Sequence, residues 1–421
     1  MDQEEKENTR VLYITYDGLL EPLGQSQVLQ YVLQLARSHR ITLISYEKPE
    51  DLADAPSRSG VEAAVREAGI EWHLLRYHRQ PTALATGYDL AVGFILAASL
   101  VIRRRIQIVH ARSYVPSVLA LALKRLFGTR FLFDMRGFWP DQRVDCGAWP
   151  RDSRLYRTAK WFERRFLTRA DTVVSLTHAG VAALREISYL RDVPPRFEVI
   201  PTCTNLELFC PPPSVSSDQG RNGRPFTLGY VGSLGPWYLF DVMVECFGIL
   251  RELRPDARFL IVNQRMQDYI RERVEAAGIS QDCVEIKSLG YSEVPYEMRK
   301  MDAGIFLLRP FPSFKAVAPT KLGEFLACGI PCLSNAGVGD IEEILEGESV
   351  GVILRDYDRK GKELAVSRLL EFADLPGIRQ RCVETAHHHF SLANGVKSYD
   401  RIYKSLVVSA KACASHGTCS R

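Results

Sequence analysis

The sequence predicts an α/β protein built from two doubly wound parallel sheets, and three observations predict it. Short β-rich apolar runs alternate with stretches of helical periodicity from residue 11 onward. The alternation breaks once, at the Pro-, Ser- and Gly-rich LFCPPPSVSSDQGRNGRP, and then restarts in the same rhythm. Strands separated by helices need crossover connections, which make a parallel sheet covered on both faces, and the stretch between the two runs has the composition of a linker.

In the first run, VLYITY (11–16) stops at Asp17-Gly18, and Val28, Tyr31, Val32, Leu35 and Ala36 follow at helical spacing. The pattern repeats with ITLISY (41–46), a helix around 61–68, WHLLRY (72–77), a helix over 84–102, IQIVHA (106–111), a helix over 115–126 and FLFDM (131–135). TVVSLT (172–177), a helix near 179–188 and FEVIP (197–201) close it. The second run reads TLGYVG (227–232), a helix near 239–253, RFLIVN (258–263), a helix near 266–277, VEIKSL (284–289), AGIFLL (303–308), a helix over 320–328 and PCLSN (331–335). The resulting division is a polar tail (1–9), a first domain (10–206), a linker (207–225), a second domain (226–388), a helix over 389–410 that packs back toward the first domain, and a tail (411–421). Two such sheets joined by one linker are expected to form a cleft.

With 421 residues, 46% apolar and 25% charged, the chain has material for two sizeable cores, which excludes intrinsic disorder, collagen and coiled coil. A net charge of +4 from 54 basic and 50 acidic residues is too small to make nucleic acid the default partner. Ten cysteines without a CxxC pair are too dilute for a disulfide scaffold, and with the acidic start MDQEEKENTR they point to a reducing, cytoplasmic setting. The longest apolar run, 90–102, has thirteen residues against the roughly 20 that a bilayer span needs.

Ligands of parallel α/β sheets bind beyond the carboxyl ends of the strands. Three loops lie there. In DGLLEPLGQSQ (17–27), Gly24 allows close backbone approach, and Gln25 and Ser26 would offer amides at a helix N-terminus, a phosphate site; the alternative is a plain turn with a Ser cap. In GYVGSLGPWY (229–238), Gly232 and Ser233 follow a strand, without the GxGxxG spacing of a dinucleotide fold. In PTKLGEFLACGIP (319–331), Thr320 is expected to cap a helix that carries Lys321 in its first turn and Glu324 one turn on. Lysine there opposes the helix dipole unless an anion is bound, and a carboxylate suits ribose hydroxyls.

On the other sheet, His110 and Arg112 follow one strand, and Asp134, Arg136, Trp139 and Asp141 follow another. Asp134 or Asp141 is a candidate proton acceptor, with Asp134 preferred, and Trp139 an aromatic platform. His110 reads equally as a hydrogen-bonded core histidine. Residues 151–169 hold seven Lys/Arg, with Leu155, Ala159, Phe162 and Phe166 as the apolar stripe of an amphipathic helix. With Arg103–Arg105 and Lys124-Arg125, this basic face suits an anionic membrane surface. Asp356-Tyr357-Asp358 has the form of a metal-holding DxD but reads as a polar loop after VGVIL. His387–His389 reads as a surface segment, since neighbouring helical histidines diverge.

YDGLLEPLGQSQ, VHARSY, FDMRGFWPD, GYVGSLG and PTKLGEFLACGIP together resemble the retaining GT-B glycosyltransferases of the fourth sequence family, the bacterial surface-polysaccharide type, over residues 16–331. The resemblance implies two Rossmann-like domains and transfer of a sugar from a UDP- or GDP-sugar to a glycan or polyprenyl-linked acceptor. It implies no cofactor and no metal. The donor would be held by Gly24, Gln25, Gly232, Ser233, Thr320, Lys321 and Glu324. Asp134, Lys321 and Arg136 would act catalytically, and His110, Arg112, Trp139 and Asp141 would face the acceptor.

The family has Glu, seven residues, then Glu; Glu324 matches the second, while Ala316 stands at the first. Where relatives carry Arg in the glycine loop and Lys five residues later, this chain has Ser233 and Tyr238. Lys321, helped by Arg309, Lys315 or Arg136, is the expected compensating charge. Two rivals remain: a non-catalytic nucleotide-sugar or glycan-binding protein on the same fold, and a GT-B sugar-nucleotide epimerase.

Overall fold

The computed structural model describes residues 9–80, 82–211 and 223–415; the tail to residue 8, residues 212–222 of the linker and 416–421 of the last tail lie outside them. The chain forms two compact units, Met1–Ile200 with Leu392–Arg421, and Pro201–Ser391.

The first unit holds a seven-stranded, wholly parallel sheet: β1 Arg10–Thr15, β2 Arg40–Glu47, β3 Glu71–Arg76, β4 Ile108–Arg112, β5 Arg130–Asp134, β6 Thr172–Ser175 and β7 Phe197–Val199, in the order β3-β2-β1-β4-β5-β6-β7. The second holds six parallel strands, β8 Thr227–Val231, β9 Arg258–Val262, β10 Val284–Lys287, β11 Ala303–Ile305, β12 Cys332–Asn335 and β13 Gly351–Leu354, in the order β10-β9-β8-β11-β12-β13. The central strands are short β-branched runs because both faces are covered; Val11, Leu12, Ile14, Ile108 and Val109 have no exposed surface. Each such side chain contributes roughly 1.5–3 kcal/mol on burial. Strand order reverses between β1 and β4 and between β8 and β11, so each unit has its switch point, and hence its crevice, at the carboxyl ends of those neighbours.

The Leu392–Ser415 helix follows the second sheet but belongs to the first unit, where it packs on the Gln30–Leu35 helix and buries Tyr399 and Tyr403. Two sequence expectations change. The apolar helix runs Thr82–Arg104, so its Ala83–Arg104 segment has the length and hydropathy of a membrane span, and it packs on the Tyr114–Phe127 helix of its own unit. The basic helix, Arg154–Arg169, turns Phe166 of the apolar stripe inward with Phe162 stacked on it, but Leu155 is 47% exposed and drops out of that face, while Glu163 and Leu167 join it. Glu163 is accommodated there by Lys160 and the Tyr114 hydroxyl.

Candidate functional site

In the second unit, β8 gives way at Val231 to Gly232, whose φ of +109° only glycine adopts without strain. Its carbonyl accepts from Asn263 Nδ2 at 2.9 Å, and Asn263 Oδ1 in turn accepts from the amides of Arg265 and Met266, so the loop is anchored to the end of β9. Below the loop starts the Thr320–Ala327 helix. Its N-cap is Pro319 with extended backbone; Thr320 is the first helical residue and caps nothing with its side chain. The fixed φ of proline, not a hydroxyl, starts this helix.

Lys321 is 4% exposed. Its ammonium donates to Tyr230 Oη at 3.2 Å, stands 4.4 Å from the centre of the Tyr230 ring and 4.0 Å from that of Tyr238, and would lie 3.4 Å from a Cβ at position 232. Among the described residues no carboxylate comes within ion-pair distance of it. A buried cation with π-faces and one hydroxyl for company, directly under a glycine loop, is a site that a bound anion completes. Glu324, one turn on and partly shielded, has its pKa pushed up to about 7 by burial, against the opposing pull of Lys321. Its carboxyl suits neighbours that donate hydrogen bonds, such as vicinal hydroxyls. Ser233 gives the site its backbone, since its carbonyl accepts from Tyr230 Oη at 2.7 Å. Arg309 reaches the same loop and donates to the Pro236 carbonyl at 2.9 Å; Lys315 is exposed, and Ala316 is fully buried. Tyr230 and Asn263 were not legible as site residues, because Tyr230 meets Lys321 only through a pairing 91 residues apart.

In the first unit the glycine loop is not an open phosphate cradle. The helix begins at Pro22, three residues before the expected start, so the Gln25 amide is already bonded to Glu21 O at 2.8 Å. Gly24 sits in right-handed helical geometry, and it is required because a Cβ there would collide with the Gly18 carbonyl. The amides of Leu19 and Leu20 donate to the buried Glu47 carboxyl at 2.7 and 3.2 Å. The anion that this loop holds is the chain's own. Burial pushes the Glu47 pKa up, and the Ser45 hydroxyl and the two amides oppose it.

His110, Arg112, Asp134 and Arg136 do come together, at the carboxyl ends of β4 and β5. His110 is fully buried; its Nδ1 pairs with Tyr403 Oη at 2.6 Å and its ring lies 4.2 Å from Tyr13, while burial outweighs Asp134 and lowers the His110 pKa. Asp134, 1% exposed, faces Arg136 at 3.7 Å and His110 at 3.6 Å. Burial pushes its carboxyl up, but Arg136, His110 and Arg112 outweigh it and hold it below the ordinary range. That carboxylate is enclosed and ion-paired, although its Oδ1 has no hydrogen-bond partner among the described residues, so its geometry suits holding Arg136 in place rather than taking a proton from an incoming hydroxyl. Arg136 adopts φ +59° and donates to Gln27 Oε1 at 3.3 Å, and Arg112 lies 3.6 Å from Asp17. Strained backbone at a strand end, as at Arg136 and at Ser113 (φ +72°), concentrates at functional sites.

Trp139 and Asp141 stand apart from this cluster. Trp139 is flanked by Trp149 and the Arg143 guanidinium, and Asp141 accepts from Tyr156 Oη and Lys160 Nζ at 2.7 and 2.9 Å. Asp358 is the N-cap of the Arg359–Asp374 helix, bonded to the Gly361 amide at 2.7 Å, which is a structural use of the Asp356–Asp358 loop. His388 and His389 do not diverge as expected: both face Glu348, at 3.8 and 2.8 Å. Among the described residues this is the one His/Cys/Asp/Glu group compact enough to share an ion.

Residues 24–203 match the glycosyl transferase 4-like domain, and residues 214–389 match glycosyl transferases group 1. No curated protein matches the chain. Among solved structures, the sucrose-phosphate synthase of Thermosynechococcus elongatus aligns with a TM-score of 0.69 at 15% identity, covering 96% of this chain and 100% of that one. A glycosyltransferase from Rickettsia africae aligns at 0.69 and 14% identity, covering 95% and 99%. Anabaena HepE in complex with UDP and glucose aligns at 0.66 and 14% identity, covering 94% and 100%. With two transferase domains in series and this fold in each unit, the chain is a glycosyltransferase of the GT-B type, group 1.

Proposed function

We propose that the second unit binds a UDP- or GDP-linked sugar and that the enzyme transfers its hexosyl group, with retention of configuration, to a glycan or polyprenyl-linked acceptor on the first unit, in cell-surface polysaccharide or glycolipid synthesis. The observation that carries this is Lys321, a buried ammonium without a carboxylate partner among the described residues, lying under the Gly232 loop with Glu324 one helical turn away. As the bond from the anomeric carbon to the diphosphate breaks, negative charge gathers on the departing oxygen, and a preorganised cation beside backbone amides stabilises it. Tyr238 occupies the position of the second expected cation and instead covers Lys321, so one caged ammonium replaces a two-cation clamp. Arg309 adds charge at the rim. The reaction so arranged uses no metal and no cofactor. HepE, solved with UDP-glucose, supports a uridine donor.

A melting-temperature screen against UDP, GDP and their hexose conjugates tests the reading, since a ligand that binds only the folded state raises the midpoint by mass action. A rise with one nucleotide family, and donor turnover that survives EDTA, are expected; no rise with either family refutes it. Ala316, Ser233 and Tyr238 favour a second reading, a nucleotide-sugar-binding protein without turnover, which a shift unaccompanied by hydrolysis or transfer would support. Conversion of the donor without any acceptor would instead mark an epimerase.

The same reading places the protein at the inner face of a membrane. Ile95 and Ile102 of the Thr82–Arg104 helix are 71% and 64% exposed and lead into Arg103–Arg105, and Leu126 and Phe127 are exposed beside Lys124-Arg125 on the neighbouring helix. Apolar side chains flanked by arginines suit an anionic interface. Co-sedimentation with phosphatidylserine vesicles at low salt is expected, and its absence removes this assignment.

A further inference from the structure

The carboxyl edge of the first sheet carries a second cluster, beyond β2 and β3. Asp89, from the Thr82–Arg104 helix, is 1% exposed in its side chain and gathers three donors: Tyr16 Oη at 2.8 Å, the His78 amide at 3.1 Å and His78 Nδ1 at 2.6 Å. A carboxylate that accepts from three sides fixes the imidazole with a proton on Nδ1 and turns Nε2 outward. Burial, then the bond to Asp89, pushes the Tyr16 pKa up, which keeps that hydroxyl a donor. His78 is 39% exposed in its side chain, and its Nε2 has no hydrogen-bond partner among the described residues. The ring stands edge-on to Tyr88 at 5.2 Å, and Tyr88 is exposed. Tyr16, Tyr46 and Tyr77 back the group, with ring centres 4.8 and 5.2 Å from that of Tyr16.

A histidine that only completes a core would be enclosed, as His110 is. Here the aspartate is enclosed, and the imidazole is held rigidly with one nitrogen presented outward beside an open aromatic ring. Sugars are recognised by this combination, in which an aromatic face takes the C–H surface and a fixed polar atom takes a hydroxyl. We propose that His78 is an acceptor-binding residue of the first unit, its Nε2 accepting a hydrogen bond from a hydroxyl of a saccharide acceptor that packs on Tyr88, with Asp89 as the positioning residue. The inference rests on the transferase reading above and names the chemistry of its acceptor: a hydroxyl-rich pyranose.

Ligand-observed saturation-transfer NMR with p-nitrophenyl hexopyranosides (gluco, galacto and manno, both anomers) tests it on the full chain, with the UDP-induced melting shift recorded in parallel. At least one glycoside is expected to receive saturation from the wild-type protein. His78→Ala should weaken that binding at least tenfold and Tyr88→Ala severalfold, His78→Gln should restore part of it through its amide oxygen, and the UDP shift should stay unchanged in all three. Glycoside binding that is equal in His78→Ala and wild type, or absent from the wild type, overturns the proposal. Failure of UDP to shift the wild type overturns the donor reading instead, and a variant that melts early without ligand is set aside in favour of His78→Gln, whose partial rescue a merely structural role would not produce.

Discussion

Replacing Lys321 by methionine removes the ammonium and keeps most of the side-chain volume, so it separates the charge from the packing. In the free protein the ammonium has one hydroxyl contact at 3.2 Å and two aromatic faces at 4.0 and 4.4 Å. These contribute about 1 kcal/mol for the hydrogen bond and roughly 0.5–2 kcal/mol for each ring. Against them stands a desolvation cost of several kcal/mol for burying the ion, which a well-packed thioether does not incur. The two sides nearly cancel, so the melting temperature of unliganded Lys321→Met should stay within a few degrees of the wild type or rise. Nucleotide binding has no such cancellation. A charge-assisted bond from a buried ammonium to a diphosphate is worth about 1.5–3 kcal/mol, which is roughly 10- to 150-fold in Kd. Titration calorimetry with UDP and GDP, alongside unfolding of the unliganded protein, reads both quantities, and Lys321→Ala should in addition abolish turnover. A variant that binds nucleotide as well as the wild type while unfolding several degrees early would show that Lys321 is a core residue, and full turnover in Lys321→Ala would refute its assignment to the leaving group.

Three further outcomes follow from the structure. Glu324 has its pKa raised from the ordinary 4.5 to about 7, so its contribution to stability is present below pH 4.5 and is lost as pH rises to about 7, by roughly 3 kcal/mol at most; urea midpoints at pH 5 and pH 7.5 should differ more in the wild type than in Glu324→Gln, and equal slopes would refute the shift. A Cβ at Gly323 would lie 2.6 Å from Thr204 Oγ1 and 3.0 Å from Phe390 Cβ, so Gly323→Ala should cost about 1–3 kcal/mol, and an unchanged melting temperature would contradict this close approach. Glu47→Ala strands the Leu19 and Leu20 amides, at an expected cost of about 2–4 kcal/mol in denaturant unfolding with UDP affinity unchanged; loss of UDP binding instead would return the first glycine loop to the donor site.

The two sheets were legible in the order of residues because their cause is local. VLYITY, IQIVHA and RFLIVN are apolar on both faces, as covered parallel strands must be, and each is followed by a run at helical spacing. The position of Lys321 three residues before Glu324 was legible for the same reason, since one short helix sets both. What surrounds them was not. That Tyr230 and Tyr238 enclose the ammonium follows from packing β8 and its loop onto a helix some ninety residues later, and no spacing encodes that contact.

The first glycine loop shows the difference most sharply. Read along the chain, Gly24 and Gln25 resemble an anion cradle. The fold brings Glu47 from the end of a neighbouring strand to donors that the sequence leaves unassigned, and fills the cradle with the protein's own carboxylate. Asp134 likewise looks available until β4, β5 and the Leu392–Ser415 helix enclose it with Arg136 and His110, and His78 attracts no notice until the helix after β3 supplies Asp89 from eleven residues on. Hydrophobic periodicity, which acts between near neighbours, settles where strands and helices form. Whether a polar group is open, paired or buried depends on which distant segment lies against it, and only the assembled core decides that.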